Sequence, residues 1–274
     1  MTEKLREGGI TKEELFGMET GYDPIALGKI IEEVVIRREG GSLYRKYYRF
    51  RGGRWYGGIA TADAVGCNLK CKFCWSWRQR DSPRSYGEFY SPEAVAERLS
   101  LIAEEKGYSY VRISGGEPTL GFEHLLGVLR TFRDRDKTFI LETNGIYLGY
   151  SRELAQELSP FVNLHVRVSI KGCNSEEFFE ITGARQEFFE LQIRALENLL
   201  DAGVEAHPAV MMSFSGEESC RELKERLGSI DPSLEESFEE EYVFLYPHVV
   251  ELMNRHGIWP KKAFSPDGIP REFI

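Results

Sequence analysis

Short apolar runs alternate with amphipathic segments along most of the chain. The apolar runs predict strands over residues 108–114, 137–142, 163–170, 204–212 and 240–245. Helical spacing and capping signals predict helices over residues 91–107, 122–135, 152–158, 186–202, 217–227 and 247–255. In the fourth of these helices, the apolar residues that recur at the spacing of one buried face are Phe189, Ile193, Leu196 and Leu200. The pattern therefore predicts strands and helices in regular alternation.

The first 65 residues carry a different pattern. Residues 12–38 predict two helices, the second beginning at Pro24, and the Gly40-Gly41 pair ends this region. Residues 43–51 predict a strand, and a turn at 51–54 leads to an antiparallel partner within residues 55–65. We expect this part of the chain to form a helical and hairpin extension of the main domain.

Strands that alternate with helices form right-handed βαβ units and a parallel sheet. About six such units are too few for an eightfold barrel, so the sequence predicts an α/β fold with a partial, open (β/α)6 barrel. The expected divisions are an N-terminal extension over residues 1–56, a core over residues 57–246, and a C-terminal helix and tail over residues 247–274. Chemistry in such sheets lies at the carboxyl ends of the strands.

Composition restricts the partners and the location. The 274 residues carry a net charge of −9, whereas nucleic-acid-binding surfaces need clustered positive charge, so we expect no nucleic-acid partner. Apolar residues make up 42% of the chain, which indicates a folded core. We expect no membrane span, because no apolar run reaches about 18 residues. The N-terminus lacks the apolar core of a secretory signal, so a cytoplasmic location is expected.

The strongest chemical signal is a group of cysteines directly after a predicted strand. Cys67, Cys71 and Cys74 form a C-x3-C-x2-C pattern, and thiolates are the usual ligands of iron–sulfur clusters. Three thiolates leave one iron of a four-iron cluster open to another ligand. A structural zinc site is the alternative, but it normally takes four ligands, and the next histidine is His124.

A second signal ends the following strand, at Gly115-Gly116-Glu117. Paired glycines let the backbone approach a ligand closely, and a carboxylate suits an amino group. An ordinary strand-to-helix turn is the alternative. The position one strand–helix unit after the cysteines favours ligand binding, because both segments then meet at the same edge of the sheet.

Residues 58–213 resemble the radical S-adenosylmethionine (SAM) superfamily in both motifs, with Phe73 as the aromatic residue of the cluster motif. The resemblance implies a [4Fe-4S] cluster held by the three cysteines, whose open iron chelates the amino and carboxyl groups of SAM. It also implies that Gly115, Gly116 and Glu117 support the SAM amino group and that Phe73 lies near the adenine. An external donor of the flavodoxin or ferredoxin type would reduce the cluster, and cleavage of SAM would give a 5′-deoxyadenosyl radical that takes hydrogen from a substrate.

Within the superfamily, the chain looks most similar to activating enzymes of the pyruvate formate-lyase type. The similar features are the segment at 142–145, the Ser169-Ile170-Lys171 strand end and the FFEITG segment at 178–183. This resemblance implies that Asn144, Ser169 and Lys171 face the ribose and carboxylate of SAM. Ser169 stands where those enzymes have Asp, and Phe179 stands near the position of a His. A solvated strand-end lysine is the alternative for Lys171.

Other residues leave their roles open. Cys173 and Cys220 are expected to be buried free cysteines, and a second metal site is the alternative. Arg167 is expected either to bind an anion or to pair with a carboxylate. His207 and His248 are expected in surface or capping roles. The residues after the cluster loop are expected either to cover the site or grip a substrate, or to pack within the loop, and these are Trp75, Trp77, Arg78 and Arg80.

Three classes of function fit these features. The first is activation of a glycyl-radical enzyme, and the second is radical modification of a small molecule, a peptide or an RNA. The third is a metal-stabilised binding protein without catalytic activity. The substrate itself is not indicated by any motif in the sequence.

Overall fold

A computed structural model describes residues 21–133 and 135–270. The strands are β1 Ile36–Glu39, β2 Ser42–Gly53, β3 Ile59–Ala64, β4 Glu88–Tyr90, β5 Tyr110–Gly115, β6 Thr138–Thr143, β7 Leu164–Lys171, β8 Ala206–Met211, β9 Glu239–Glu241, β10 Val243–Phe244 and β11 Ala263–Phe264. The α-helices are α1 Pro24–Val35, α2 Trp77–Asp81, α3 Pro92–Lys106, α4 Phe122–Phe132, α5 Ile146–Tyr150, α6 Arg152–Leu158, α7 Ser175–Thr182, α8 Phe189–Asp201, α9 Glu217–Ile230, α10 Pro232–Glu236 and α11 Pro247–Arg255. Short 3-10 turns lie at Trp55–Gly57, Gln186–Phe188 and Pro266–Gly268.

The main sheet has the strand order β1-β2-β3-β5-β6-β7-β8-β9, with β4 paired to β2. Strands β3, β5, β6, β7, β8 and β9 are parallel, and the β1-β2-β3 part is antiparallel. Strands β3 and β9 lie far apart in this order and do not pair, so the sheet is open. The predicted partial (β/α)6 barrel with a hairpin extension is confirmed.

Local signals set the helix ends as expected in α3. The Ser91 side chain accepts a hydrogen bond from Ala94 N, Pro92 occupies the first turn, and Gly107 ends the helix at φ 66°. The apolar face of α3 is buried against the sheet and consists of Val95, Ala96, Leu99 and Ala103.

The N-terminal region differs from the prediction. The first of the two predicted helices begins in residues that lie outside the described part of the chain. The second begins at Pro24, with the Asp23 side chain as its cap, but it ends at Val35 instead of residue 38. Ile36 is already extended, and β1 pairs with β2 through the Gly40-Gly41 turn, in which both glycines have positive φ. Two-residue hairpin turns of this kind need positive φ, which favours glycine.

The C-terminal region also departs from the prediction. The predicted strand over residues 240–245 is divided, because β9 ends at Glu241 and β10 pairs with β11 in a separate small sheet. Helix α11 spans Pro247–Arg255 as predicted. The domain divisions after residues 56 and 246 stay predictions. No helix in residues 21–133 and 135–270 is long and apolar enough to cross a membrane.

Most of the parallel strands have an apolar face and a polar face. In β7, Val166, Val168 and Ile170 are buried against the helices, whereas Arg167 and Ser169 reach carboxylates of β9 on the other side. Successive side chains of a strand alternate in this way. We call the side of the sheet that carries Asp63, Arg112, Glu142, Arg167 and Glu239 the polar face, and its charged residues are paired with one another.

A buried histidine in α4 makes the stability of the fold sensitive to acid. His124 is 0% exposed, its Nε2 bonds to Tyr90 O at 3.0 Å, and burial followed by the nearby Arg45 lowers its pKa to about 4. An unfolded histidine has a pKa of about 6.5, so the unfolded state binds more protons between pH 6.5 and 4. We expect this residue to lower the free energy of unfolding by up to about 3 kcal/mol as pH falls through that window.

Denaturant unfolding at several pH values measures this effect. His124→Gln keeps an N–H donor for Tyr90 O and does not titrate, so its free energy of unfolding should fall less between pH 6.5 and 4. An identical pH dependence for both proteins would contradict the assignment.

Candidate active site

The cysteine loop follows β3 and is anchored on several sides. Cys74 N donates to Cys71 O at 3.2 Å, and Cys67 Sγ accepts from Leu69 N at 3.4 Å. Buried Arg80 donates to Cys71 O at 2.7 Å, and Lys72 N donates to the carbonyl of Ile181 at 2.8 Å. The loop is thus tied both to α2 and to α7, so its cysteines are held at the carboxyl end of the sheet.

Two of the three cysteine thiols have pKa values that their surroundings raise. Burial, followed by the nearby Glu117 and the other thiols, raises the pKa of Cys67 far above its usual value. Burial raises the pKa of Cys71 to about 11, opposed by Lys171, which lowers it. A metal that binds here would therefore displace protons from these thiols, and its positive charge would stabilise the resulting thiolates.

The glycine pair packs the second strand end directly against the cysteine loop. Gly116 N donates to Ala64 O and Glu117 N to Gly66 O, both at 2.8 Å. A Cβ on Gly116 would lie 2.0 Å from Gly66 O, so a side chain cannot fit there. Gly115 has φ 87°, which also favours glycine. The predicted neighbourhood of the two motifs is confirmed, and close backbone packing is one reason for the glycines.

Glu117 is 2% exposed, and both of its carboxylate oxygens already accept hydrogen bonds. Oε1 accepts from Thr119 N at 3.0 Å, from Thr119 Oγ1 at 2.7 Å and from Thr143 Oγ1 at 2.7 Å. Oε2 accepts from Asn144 N at 2.8 Å. The carboxylate therefore ties the end of β6 to the turn after β5. Its direct contact with a SAM amino group stays a prediction.

Asn144 lies against the first cysteine. Its Nδ2 is 2.7 Å from Asn68 Oδ1 and 3.8 Å from Cys67 Sγ, and its Oδ1 accepts from Ile146 N at 3.1 Å. A hydrogen bond to a ligand sulfur tunes the potential of an iron–sulfur cluster. Its predicted contact with SAM ribose remains untested, while its contact with the cluster loop was missed from the sequence.

Ser169 and Lys171 meet a carboxylate that the sequence interpretation overlooked. Ser169 Oγ donates to Glu241 Oε2 at 2.7 Å, and Lys171 Nζ contacts both Ser169 Oγ and Glu241 Oε2, the latter at 3.4 Å. Lys171 is therefore not a solvated lysine, since it lies in this cluster and within electrostatic reach of Cys71. The sequence did not indicate this carboxylate, because Glu241 lies in β9, 70 residues after Lys171.

Arg167 pairs with carboxylates, which resolves the two alternatives left open for it. It donates to Glu239 Oε2 at 2.8 Å and Oε1 at 2.6 Å, and to Glu241 Oε1 at 3.0 Å. His207 also bonds to Glu239 at 2.9 Å and to His165 at 2.6 Å, so its expected surface role is wrong. These contacts join residues of β7, β8 and β9. The sequence signal that could have predicted them is the pair of glutamates at the alternate positions 239 and 241.

Cys173 and Cys220 form a disulfide, with their Cα atoms 5.0 Å apart. The expectation of two free cysteines is wrong, and sulfurs bonded to each other are not available for a second metal. The pairing was not predictable locally because 47 residues separate the two positions. The Phe73 ring contacts Phe214 of the loop after β8, with centroids 5.3 Å apart, and its position near the adenine of SAM stays a prediction.

The residues after the cysteines separate into two groups. Trp77 Nε1 donates to His248 O at 3.0 Å, and Arg78 pairs with Glu251 at 3.1 Å, so both pack on α11. Arg80 supports Cys71, as described above, and Trp75 is 39% exposed. Packing is thus the observed role for Trp77, Arg78 and Arg80, whereas Trp75 remains open to solvent.

The donor set fits a cluster. In residues 21–133 and 135–270, no three His, Cys, Asp or Glu side chains are arranged to hold one metal ion. Thiolates that each bind a different iron of a [4Fe-4S] cluster need not converge on one point. Cys67, Cys71 and Cys74 are three such thiols in one loop, and Asn144 is positioned to donate to one of the sulfurs.

The fold and site define a class of enzyme in which an open (β/α)6 sheet carries a three-cysteine cluster loop after its first parallel strand. The sequence pattern of the Radical SAM superfamily matches residues 63–227, more than half of the chain, and the chain belongs to this superfamily. It is therefore an enzyme whose cofactors are a [4Fe-4S] cluster and SAM, and enzymes of this superfamily take an electron from an external donor.

Individual relatives differ in what they act on. The chain is 30% identical over 155 residues to a probable GTP 3′,8-cyclase of Methanosarcina acetivorans, covering 56% of this chain and 44% of that protein. It is also 30% identical over 139 residues to the mycofactocin maturase MftC of Mycolicibacterium smegmatis, covering 50% of this chain and 32% of that protein. The chain spans less than half the length of either relative.

A solved structure supports the fold. A spore photoproduct lyase variant with bound AdoMet and dinucleoside spore photoproduct aligns with a TM-score of 0.58 at 11% identity, covering 78% of this chain and 65% of that one. At this identity the likeness concerns the fold alone.

Proposed function

We propose that this enzyme cleaves SAM reductively at the Cys67–Cys74 loop and uses the product to abstract hydrogen from a polar substrate. The observation that carries the proposal is the direct backbone contact between the two motifs, in which Glu117 N donates to Gly66 O at 2.8 Å beside Cys67. When bound, the reduced cluster would break the carbon–sulfur bond of SAM and give methionine and a 5′-deoxyadenosyl radical.

The residues of this chain bind and orient SAM in the proposal. Lys171 is the partner of the SAM carboxylate, because a carboxylate suits its ammonium group. Ser169 and Glu241 hold that ammonium before SAM binds. Gly115 and Gly116 offer backbone groups to the amino group, with Glu117 fixing the turn. Further proposed contacts with SAM are the adenine beside Phe73 and the ribose near Asn144.

Two observations bear on the class of the substrate. The match to a probable GTP 3′,8-cyclase supports a nucleotide, and the match to a mycofactocin maturase supports a substrate that undergoes maturation, for which we propose a peptide. The charged pairs along the polar face support a polar substrate, because an apolar one would leave those groups desolvated.

A glycyl-radical enzyme is a second candidate, favoured by the Thr-Asn-Gly segment at 143–145 and the Ser169-Ile170-Lys171 strand end. We propose a flavodoxin or ferredoxin as the electron donor in either case. Electron paramagnetic resonance distinguishes the two candidates, since only activation would leave a stable glycyl radical on a candidate partner.

The expected result of the central test is 5′-deoxyadenosine. The cluster-loaded protein, reduced with dithionite under anaerobic conditions, should convert SAM slowly to methionine and 5′-deoxyadenosine even without its substrate. Chromatography of the quenched reaction measures both products, and protein without a cluster is the control. Methylthioadenosine as the main nucleoside would show that a different bond is cut, and no cleavage by fully loaded, reduced protein would contradict the proposal.

A further inference from the structure

Strand β2 contains a bulge that decides which face its arginines occupy. Tyr47 pairs with Ala64 and Arg49 pairs with Asp63, so Tyr48 is an extra residue in the ladder. In a regular strand, Arg49 would lie on the same face as Tyr47. Instead Phe50 packs on Tyr47, with ring centroids 5.8 Å apart, and Arg49 reaches Asp63 on the polar face. Bulges commonly re-aim side chains in this way beside functional sites.

Because of the bulge, two arginines form ion pairs with one aspartate. Asp63 has a 0% exposed side chain, and Arg51 alone satisfies it through Nε–Oδ2 at 2.8 Å and Nη2–Oδ1 at 3.2 Å. Arg49 adds one bond from Nε to Oδ2 at 2.6 Å, and its side chain is 46% exposed. Within the described residues its terminal nitrogens donate no hydrogen bond, so one positive charge and two donor groups remain for another acceptor.

A buried hydroxyl beside these arginines also lacks a partner. The Oη atom of Tyr48 is buried and makes no hydrogen bond within residues 21–133 and 135–270. The Arg49 guanidinium lies 5.6 Å from the Tyr48 ring centroid. Burial, followed by the negative charge of Asp63, raises the pKa of Tyr48, so the hydroxyl stays protonated and can donate. A buried polar group without a partner is costly, and such groups in native proteins usually have one.

An exposed aromatic ring completes the group. Trp75 directly follows the last cluster cysteine, and its ring centroid lies 5.7 Å from the Arg49 guanidinium and 6.0 Å from that of Arg51. The excess positive charge is therefore next to the cluster loop and open to solvent at Trp75.

We propose that Tyr48, Arg49 and Arg51, beside Trp75, form a subsite for an oxyanion group of the substrate, either a phosphate or a carboxylate. This inference rests on the proposed function and narrows its substrate class. Lys171, the proposed partner of the SAM carboxylate, lies on β7, and strands β3, β5 and β6 lie between it and β2 in the sheet. SAM has a single carboxylate, which Lys171 binds in the proposal. The subsite of Tyr48, Arg49 and Arg51 is therefore free to bind an oxyanion of another molecule.

Calorimetry tests the subsite without requiring turnover. Cluster-loaded full-length protein, saturated with SAM so that the SAM carboxylate site is filled, is titrated with inorganic pyrophosphate and separately with succinate. We expect at least one of these anions to bind at a single site. Arg49→Gln should weaken that binding about tenfold, by loss of a charged hydrogen bond, and Tyr48→Phe should weaken it less. Arg49→Gln leaves the Arg51–Asp63 pair intact, which protects the fold.

Arg98→Gln is the matched control. The Arg98 guanidinium lies over Phe50 and Tyr90 at 5.2 and 4.9 Å, on the opposite side of the same strand, so its loss should change neither anion binding nor SAM cleavage. Iron content is measured for every variant.

Each outcome decides the proposal. Pyrophosphate binding that depends on Arg49 supports a phosphate group, and Arg49-dependent succinate binding supports a carboxylate group. The subsite is overturned if neither anion binds, if Arg49→Gln binds as tightly as the wild type, or if Arg49→Gln loses iron, because the arginine would then serve the cluster. Anion binding without any SAM cleavage would refute the proposed function and leave the subsite standing.

Discussion

Cys71→Ala should lose most of the iron and sulfide that the wild-type protein takes up on anaerobic reconstitution. Cys71 is buried in the loop, its backbone is fixed by Arg80, and its sulfur is one of three predicted ligands. Loss of one thiolate would leave two irons without a protein ligand, and an iron–sulfur cluster held by two cysteines is exposed to solvent and decays. Iron and sulfide analysis, together with the visible absorbance of the cluster, measures the effect. We expect the same loss for Cys67→Ala and Cys74→Ala.

The disulfide cysteines provide the matched control for this experiment. Cys173 and Cys220 are bonded to each other, so changing both to Ser should leave the iron content unchanged. Full iron in Cys71→Ala would show that the ligand assignment is wrong. A fall to about half in the Cys173→Ser, Cys220→Ser protein would instead indicate that these residues serve an auxiliary cluster.

Glu117→Ala should lower both the free energy of unfolding and the affinity for SAM. The substitution leaves four hydrogen-bond donors, from Thr119, Thr143 and Asn144, without their acceptor in a buried site. Each unsatisfied buried donor costs about 1–3 kcal/mol, so the four together should lower the free energy of unfolding by at least about 4 kcal/mol. SAM binding should weaken because the Gly115-Gly116 turn and the end of β6 lose their common anchor.

Two further variants separate positioning from direct contact. Glu117→Gln keeps an oxygen for Thr119 and Thr143 but turns an amide nitrogen toward Asn144 N, so it should cost only about 1–3 kcal/mol. Thr143→Val removes one donor to the carboxylate and should also weaken SAM binding. Denaturant unfolding and calorimetry with SAM measure the two quantities. If Glu117→Ala weakens SAM binding at unchanged stability, Glu117 contacts SAM directly and its proposed anchoring role is wrong.

Features that depend on neighbouring residues could be predicted from the sequence. Helix α3 begins and ends at its Ser91 and Gly107 caps, and α6 and α11 have the predicted bounds, because capping and side-chain periodicity act within a few residues. The cluster ligands belong to this group as well, since one short loop carries all three cysteines and their spacing fixes the geometry. The alternation of strands and helices likewise determined the parallel, open sheet.

Features that join distant segments were decided only by the tertiary structure. The Cys173–Cys220 disulfide and the contacts of Lys171 with Glu241 connect positions 47 and 70 residues apart, and no local pattern records which distant partner a side chain meets. The contacts of Glu117 are also of this kind, because its carboxylate accepts hydrogen bonds from Thr143 and Asn144 at the end of β6. The sequence by itself determined the chemistry of the cluster loop, because covalent spacing holds its ligands together. The surroundings of that loop were set by strand order and register, which arise when separate parts of the chain pack together.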